Sequence, residues 1–245
     1  MAAVAVATGL LAPAATAQDD YYAGTEGLTG QQLKAKLHEI ISQSDALTYD
    51  EVWAGLQATD QDPANPDNVI LIYSGESRPK DQNGGDTGEW NREHVWAKSH
   101  GDVGTSPGPG TDLHHLRPED VQVNSIRDNK DFDAGGGEVD GAPGNYTDGD
   151  SFEPRDAVKG DVARAILYMT VRYEGGDGFA DLEPNDQVDN GSAPYMGRLS
   201  VLKQWHEADP PDDAEMNRNS LVYEQFQHNR NPFIDHPEWA ASIWP

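Results

Sequence analysis

The chain has 245 residues, of which 43 are Asp or Glu and 17 are Lys or Arg, so the formal net charge is −26. The length suits one sizeable domain or two small ones, and the lack of cysteine excludes disulfides, thiol redox chemistry and zinc–thiolate sites. The electric field of a negatively charged protein repels phosphate at long range. The overall composition therefore argues against a polyanionic partner unless salt screens the charges.

The N-terminal segment 2–17 is apolar, rich in alanine, and ends in small residues. It lacks a basic start but otherwise has the pattern of a signal peptide, which predicts cleavage after Ala17 and export from the cell. No later stretch approaches the ~20 apolar residues that span a bilayer. We therefore expect 18–245 to be one soluble secreted domain, monomeric, without a membrane or protein partner.

Hydrophobic spacing, capping residues and turn residues predict secondary structure along the rest of the chain. Thr48 and Glu51 have the spacing of a capping box, and Pro118 is predicted at the first position of a helix. The predicted elements are helices over 28–41 and 48–59, a strand over 69–73, an extended segment over 89–96, a strand over 112–117, and helices over 118–132, 154–173, 196–207, 212–227 and 229–244. They indicate an α+β fold with long loops.

The segment from Arg92 to Lys130 differs from the rest of this acidic chain. It holds five Lys or Arg against six Asp or Glu, together with four of the eight histidines. Two short strands followed by a helix would form a ββα unit here, with Glu93 and His94 on the first strand and Asn124 on the helix. A nearly neutral patch of this kind is what a phosphate-binding site requires.

The residue types in this unit are suited to metal-assisted hydrolysis. A Glu carboxylate and an Asn carbonyl are hard oxygen ligands that fit Mg²⁺, Mn²⁺ or Ca²⁺. A neutral histidine beside them can take a proton from an attacking water near neutral pH. As ordinary surface residues, Glu93 and Asn124 would have no reason to share one unit with His94.

Three blocks and a C-terminal segment carry a family resemblance, and they span most of the chain after the leader. The blocks are Arg-Glu-His-Val-Trp (92–96), Asp-Leu-His-His-Leu-Arg-Pro (112–118) and Val-Asn-Ser-Ile-Arg-Asp-Asn-Lys (123–130), and the last segment is Asn-Arg-Asn-Pro-Phe-Ile-Asp-His-Pro-Glu (229–238). In this order they resemble the endonuclease I family of ββα-metal (His-Me finger) nucleases, especially its exported bacterial members. The resemblance implies a sugar-nonspecific endonuclease acting on DNA and RNA.

The resemblance also implies roles for individual residues. His94 becomes the general base, and Glu93 and Asn124 become the protein ligands of one divalent cation, with Mg²⁺ expected first. Such a site leaves 5′-phosphate ends. Candidate phosphate contacts, which position a substrate without reading its bases, are Arg127, Arg117, Lys98, Lys130 and His115.

Other functions fit the same residues. One is a metal-dependent phosphodiesterase for small nucleotides, and another is an acidic exported cation-binding protein without catalysis.

A cluster of acidic residues follows the segment 92–130 in the chain and is formed by Asp148, Asp150, Glu153 and Asp156. It does not have EF-hand spacing, and its composition favours a solvated loop over a structural Ca²⁺ site.

Overall fold

The computed structural model describes residues 21–245. The predicted signal segment, 1–17, lies outside this range. Within the described range, no helix combines the length and apolar character needed to cross a membrane. Helices alternate with several small sheets, in agreement with the α+β prediction.

The helices and strands, numbered in chain order, have the following bounds. The helices are α1 (Gly30–Ile41), α2 (Glu51–Thr59), α3 (Val121–Arg127), α4 (Lys159–Arg172), α5 (Leu199–Ala208), α6 (Asp213–Leu221), α7 (Pro232–Asp235) and α8 (Glu238–Ile243). The strands are β1 (Gln61–Asp62), β2 (Asn65–Ile70), β3 (Ser77–Pro79), β4 (Trp90–His94), β5 (Leu116–Asp120), β6 (Asp131–Phe132), β7 (Gly137–Glu138), β8 (Tyr146–Thr147), β9 (Ser151–Glu153), β10 (Glu183–Pro184) and β11 (Tyr195–Met196).

The predicted capping box forms at the start of α2. The Glu51 carboxylate accepts a hydrogen bond from the Thr48 amide at 2.7 Å, and the Thr48 hydroxyl accepts one from the Glu51 amide at 3.3 Å. These bonds satisfy backbone donors that the first turn of a helix leaves without a partner. They fix the chain around Tyr49, which lies between the two capping residues.

Strands β4 and β5 pair antiparallel, and α3 follows β5 directly. The register places Glu93 opposite Arg117 and Asn91 opposite Glu119. The predicted helix start at Pro118 is wrong, because Pro118 lies within β5 and the helix begins only at Val121. The Asp120 carboxylate caps it, accepting from the amides of Gln122 and Val123 at 2.7 and 3.0 Å.

The end of α3 also differs from the prediction. The helix stops at Arg127 rather than near residue 132, because Asp128 adopts the left-handed backbone conformation with φ of 54°. Asn124 is the fourth residue of α3. It therefore lies in the first turn, close to the strands, and not two turns into the helix.

Helix α4 passes through the centre of the main core. The sequence predicts one apolar stripe on this helix, but nearly every residue from Gly160 to Val171 is buried. A helix covered on all sides tolerates a charge only where that charge is paired. Arg164 meets this condition, since its Nε donates to the Glu215 carboxylate at 2.8 Å.

The segment 135–149, in which the sequence predicts neither a helix nor a strand, contributes two strands to a small sheet. The strand order is β6-β9-β8-β7, and each strand has only two or three residues. Such short strands leave no visible alternation in the sequence, which explains why the prediction missed them.

Two apolar clusters contact the chain around strands β4 and β5. The smaller cluster includes Trp90 and Leu116, whereas the larger one includes Val95, Trp96 and Val123. Strand β4 begins in the smaller cluster at Trp90, and the residues that follow it directly, Val95 and Trp96, are buried in the larger one. Glu93 and His94 lie at the C-terminal end of the strand.

Candidate active site

A cleft of ≈ 470 Å³ opens at the C-terminal end of β4 and the side of α3. It brings together the three residues for which the sequence predicts catalysis and metal binding, Glu93, His94 and Asn124. The lining residues are Tyr49, Trp53, Gly84, Asn91, Arg92, Glu93, His94, Ala97, Lys98, Ser99, Asn124, Arg127, Asp128 and Asn129.

The Glu93 side chain is buried and held by two neighbours. Its Oε1 accepts a hydrogen bond from the Tyr73 hydroxyl at 2.7 Å and lies 3.4 Å from an Arg127 nitrogen. Burial raises the pKa of Glu93, and the Arg127 charge and the Tyr73 hydroxyl oppose that rise. In the described chain, Oε2 accepts no side-chain hydrogen bond, so this oxygen remains available to a ligand.

A second carboxylate, that of Glu119, holds the backbone of Tyr73 in place. Glu119 accepts hydrogen bonds from the backbone amides of Tyr73 and Asp120, at 2.5 and 2.9 Å. Burial raises its pKa to about 7. By holding the Tyr73 backbone, Glu119 fixes the hydroxyl that orients Glu93.

His94 is 4% exposed. Nε2 lies 3.1 Å from the Gly110 carbonyl, and Nδ1 lies 3.3 Å from the Arg92 carbonyl. A neutral imidazole carries one proton, and the tautomer with that proton on Nε2 bonds to the closer carbonyl and has its lone pair on Nδ1. Burial lowers the pKa of His94 well below its ordinary value, and the neighbouring His115 lowers it further. The ring is therefore neutral at neutral pH.

Asn124 reaches the cleft in a fixed orientation. Its Nδ2 donates to the Asn91 Oδ1 at 2.7 Å, across the contact between α3 and β4. Because the amide nitrogen is engaged, the carbonyl Oδ1 is the atom left to bind a ligand. Asn91, a residue that no sequence motif singles out, thus orients a predicted metal ligand.

Arg127 joins helix α3 to the end of strand β4 through hydrogen bonds. It is 1% exposed, and its guanidinium donates to the carbonyls of His94 and Val95 at 2.9 and 2.6 Å. These bonds tie the end of α3 to the end of β4. Although Arg127 lines the cleft, a guanidinium bonded in this way fits a positioning role better than the predicted phosphate contact.

Of the other predicted phosphate contacts, one lines the cleft and three do not. Lys98 is exposed and lines the cleft. Arg117 pairs with Asp60 and Asp161, Lys130 donates to the Ile126 carbonyl and the Thr147 hydroxyl, and His115 is fully buried with Nε2 2.7 Å from the Pro109 carbonyl. None of these three side chains lines the cleft, so this arrangement does not fit phosphate contact through them.

Two clusters of acidic residues, one at 174–183 and one at 148–156, do not line the cleft. Glu174, Asp181 and Glu183 come close enough to share an ion, but the buried Lys34 ammonium pairs with both glutamates. In the 148–156 segment, Asp148 caps a turn by accepting from the amides of Asp150 and Ser151. Both clusters thus have protein partners.

Comparison with known proteins identifies the family. The endonuclease I family model matches residues 29–238. The chain belongs to the endonuclease I family. It is 66% identical over 238 residues to an extracellular ribonuclease of Bacillus subtilis (strain 168), covering 96% of this chain and 83% of that protein. It is also 65% identical over 226 residues to an extracellular ribonuclease of Bacillus amyloliquefaciens, covering 92% and 78%.

In this endonuclease I family member, the charge at the cleft differs from that of the whole chain. Three cationic side chains, Arg92, Lys98 and Arg127, line the cleft with two acidic ones, Glu93 and Asp128. The molecule as a whole carries −26. Near the cleft the local charges therefore do not repel a phosphate as the bulk composition suggests.

Proposed function

We propose that the protein is an exported endonuclease that hydrolyses phosphodiester bonds of RNA and DNA, with one divalent cation and His94 as general base. The observation that carries the proposal is the meeting of Glu93, His94 and Asn124 in one cleft at the junction of β4, β5 and α3. In this proposal the strand–strand–helix unit is a ββα-metal core. Both relatives are named extracellular ribonucleases, which favours export and RNA as a substrate.

The donor atoms in the cleft fit a divalent cation. Glu93 keeps Oε2 and Asn124 keeps Oδ1, and both are hard oxygens of the kind that Mg²⁺, Mn²⁺ and Ca²⁺ prefer. We infer Mg²⁺ as the resident ion, since two protein ligands leave room for the waters and phosphate oxygens that Mg²⁺ retains. When bound, such an ion neutralises charge that develops on the phosphate and on the leaving oxygen.

His94 supplies the proton acceptor. A water attacks phosphorus while its proton passes to Nδ1, and the bond from phosphorus to the 3′ oxygen breaks. The 3′ oxygen leaves with the bonding electrons and takes a proton from solvent, so the products are a 5′-phosphate and a 3′-hydroxyl end. The Gly110 carbonyl holds the Nε2 proton throughout and stabilises the imidazolium that forms. Arg127 keeps the carbonyl ends of His94 and Val95 in place, so the base stays aligned.

The nature of the nucleophile explains the proposed breadth of substrate. Because water attacks, no ribose 2′-hydroxyl takes part, and the same residues can cleave RNA and DNA. The exposed Lys98 supplies a phosphate contact that carries no sequence information. Low sequence preference follows from this chemistry.

The proposed function predicts metal-dependent cleavage of polymers. Purified protein should cut both RNA and supercoiled plasmid in Mg²⁺, lose this activity in EDTA, and regain it when Mg²⁺ is restored. A gel assay over a series of Mg²⁺ and NaCl concentrations measures this. Full activity in EDTA would contradict the metal requirement, and hydrolysis of a small chromogenic diester without cleavage of either polymer would favour a nucleotide phosphodiesterase.

Asn91 provides a test of how the ligand is oriented. Replacing Asn91 by alanine removes the acceptor that fixes the Asn124 amide, so we expect the Mg²⁺ concentration for half-maximal activity to rise about 10- to 100-fold, as for other groups that orient a metal ligand. Asn91→Asp retains an acceptor oxygen and should recover most of the affinity. Equal Mg²⁺ requirements in wild type and Asn91→Ala would contradict the orienting role.

A further inference from the structure

One wall of the cleft is a stack of two aromatic rings and a guanidinium. The Arg92 Cζ lies 3.4 Å from the ring centre of Tyr49 and 4.0 Å from that of Trp53. All three side chains line the cleft and are partly exposed. We call them the Tyr49–Arg92–Trp53 stack.

Contacts with the Tyr49 backbone and with Trp90 hold the stack in place. The Arg92 guanidinium donates to the Tyr49 carbonyl at 2.6 Å. Trp53 packs edge-on against the fully buried Trp90, with ring centres 5.2 Å apart. A pre-ordered surface of this kind loses little conformational entropy when a ligand binds.

The charge of Arg92 has no carboxylate partner. Most other arginines of the described chain pair with a carboxylate, as Arg164 does with Glu215 and Arg230 with Asp235. Arg155 also lacks such a pair, but it donates to the Ile72 carbonyl and lies outside the cleft. Among residues 21–245, neither Arg92 nor Lys98 forms a salt bridge, although the chain has 43 acidic residues. An unpaired guanidinium that stacks on two aromatic rings in the wall of the cleft points to an external ligand.

The position of the stack defines where that ligand lies. Arg92 and His94 are two residues apart on β4 and therefore share a face of the strand. The ring centres of Tyr49 and His94 are 5.9 Å apart. A nucleotide whose phosphate faces His94 thus has its base, or the base of its neighbour, within reach of the stack.

We propose that the Tyr49–Arg92–Trp53 stack binds an unpaired nucleobase next to the scissile phosphate, so that the enzyme prefers single-stranded or unpaired nucleic acid. This inference rests on the proposed nuclease function. Aromatic rings and arginine planes bind bases by stacking, which needs a base face that is not covered by its neighbours. In a duplex both faces are covered, and the stack gains nothing until a base is displaced.

The experiment compares variants of the stack with a matched pair elsewhere. Tyr49→Leu and Trp53→Leu remove one ring each, and Arg92→Lys keeps the charge but removes the planar group. Tyr223→Leu is the control, because Tyr223 is an exposed tyrosine whose ring centre lies 5.6 Å from the Cζ of an arginine, Arg230, and which is outside the cleft. Steady-state kinetics are measured with a single-stranded oligonucleotide and with a duplex of the same sequence, at low and high NaCl.

We expect KM for the single strand to rise about 5- to 150-fold in Tyr49→Leu, the range given by loss of one stacked base. The rise should be smaller on the duplex, and it should persist at high salt, since stacking is not screened as a phosphate contact is. Tyr223→Leu should match wild type. Equal changes on both substrates, or an effect that disappears at high salt, would overturn the proposal.

An abasic substrate gives a second, independent readout. Wild type should cleave poorly next to a single abasic nucleotide at the stacked position, and Tyr49→Leu should show little further loss on that substrate, because ring and base act as one pair. Fully additive losses would overturn the stacking contact. If wild type cleaves no polymer at all, the proposed function fails; if it cleaves and Tyr49→Leu is indistinguishable from it, the stack alone is wrong.

Discussion

Replacing His94 by alanine is expected to lower kcat by about 10²- to 10⁴-fold, the usual contribution of a positioned general base. The loss follows from removing Nδ1, which is the proposed proton acceptor when the Nε2 proton bonds to the Gly110 carbonyl. The measurement is kcat and KM on a single-stranded oligonucleotide at saturating Mg²⁺. KM should change much less than kcat, because the imidazole acts on the attacking water and not on the substrate.

Substitution of a second histidine, His228, separates loss of the general base from any effect of removing an imidazole ring elsewhere. His228 is exposed, lies outside the cleft and bonds to the Tyr223 carbonyl, so His228→Ala should retain wild-type kcat. Added imidazole should restore part of the activity of His94→Ala, since a small base can enter the space that the side chain leaves. A folded His94→Ala variant with unaltered kcat would remove His94 from the mechanism.

The sequence predicted that Glu93, His94 and Asn124 belong to one site, but not which residues hold them in place. Glu93, His94 and Asn124 meet in one cleft, as their placement in two blocks of one strand–strand–helix segment indicated. Asn91 escaped notice because its partner, Asn124, is 33 positions away. Only the crossing of α3 over β4 brings the two amides together.

Burial explains why most of the predicted phosphate contacts are placed elsewhere. In a chain with 43 acidic residues, a sequence does not reveal which arginine pairs with which carboxylate. Arg117 contacts Asp60, which follows α2 in the chain, and Asp161, which lies on α4. His115 precedes β5 in a turn and faces the core, so alternation along a strand did not apply to it.

The boundaries of helix α3 were also difficult to predict from the sequence. Pro118 fits the first turn of a helix and an extended strand about equally well, since its φ is compatible with both and it lacks the amide that either could use. The cap decides between them, and Asp120 provides it. The capping box at Thr48 was recognisable because both of its partners lie within four residues.

Replacing Glu93 by glutamine is expected to raise the Mg²⁺ concentration for half-maximal activity by at least about 100-fold, since groups that only orient a ligand already contribute 10- to 100-fold. Glutamine keeps the size of the side chain and can accept the Tyr73 hydrogen bond, so the change removes mainly the negative charge. The variant should fold, because the lost carboxylate is one whose pKa burial already raises. Glu153→Gln, at a carboxylate that pairs with Lys159 outside the cleft, is the matched control and should keep the wild-type requirement.

Thermal unfolding measures the same binding without catalysis. An ion that binds only the folded state stabilises it by about 2.7 kcal/mol at a concentration of 100 Kd, so Mg²⁺ should raise the Tm of wild type and of Glu153→Gln. The Tm of Glu93→Gln should stay constant over the same titration. A Mg²⁺-dependent rise in Glu93→Gln equal to that of wild type would place the ion elsewhere, and the acidic group of Glu174, Asp181 and Glu183 would then be the next site to test by substitution.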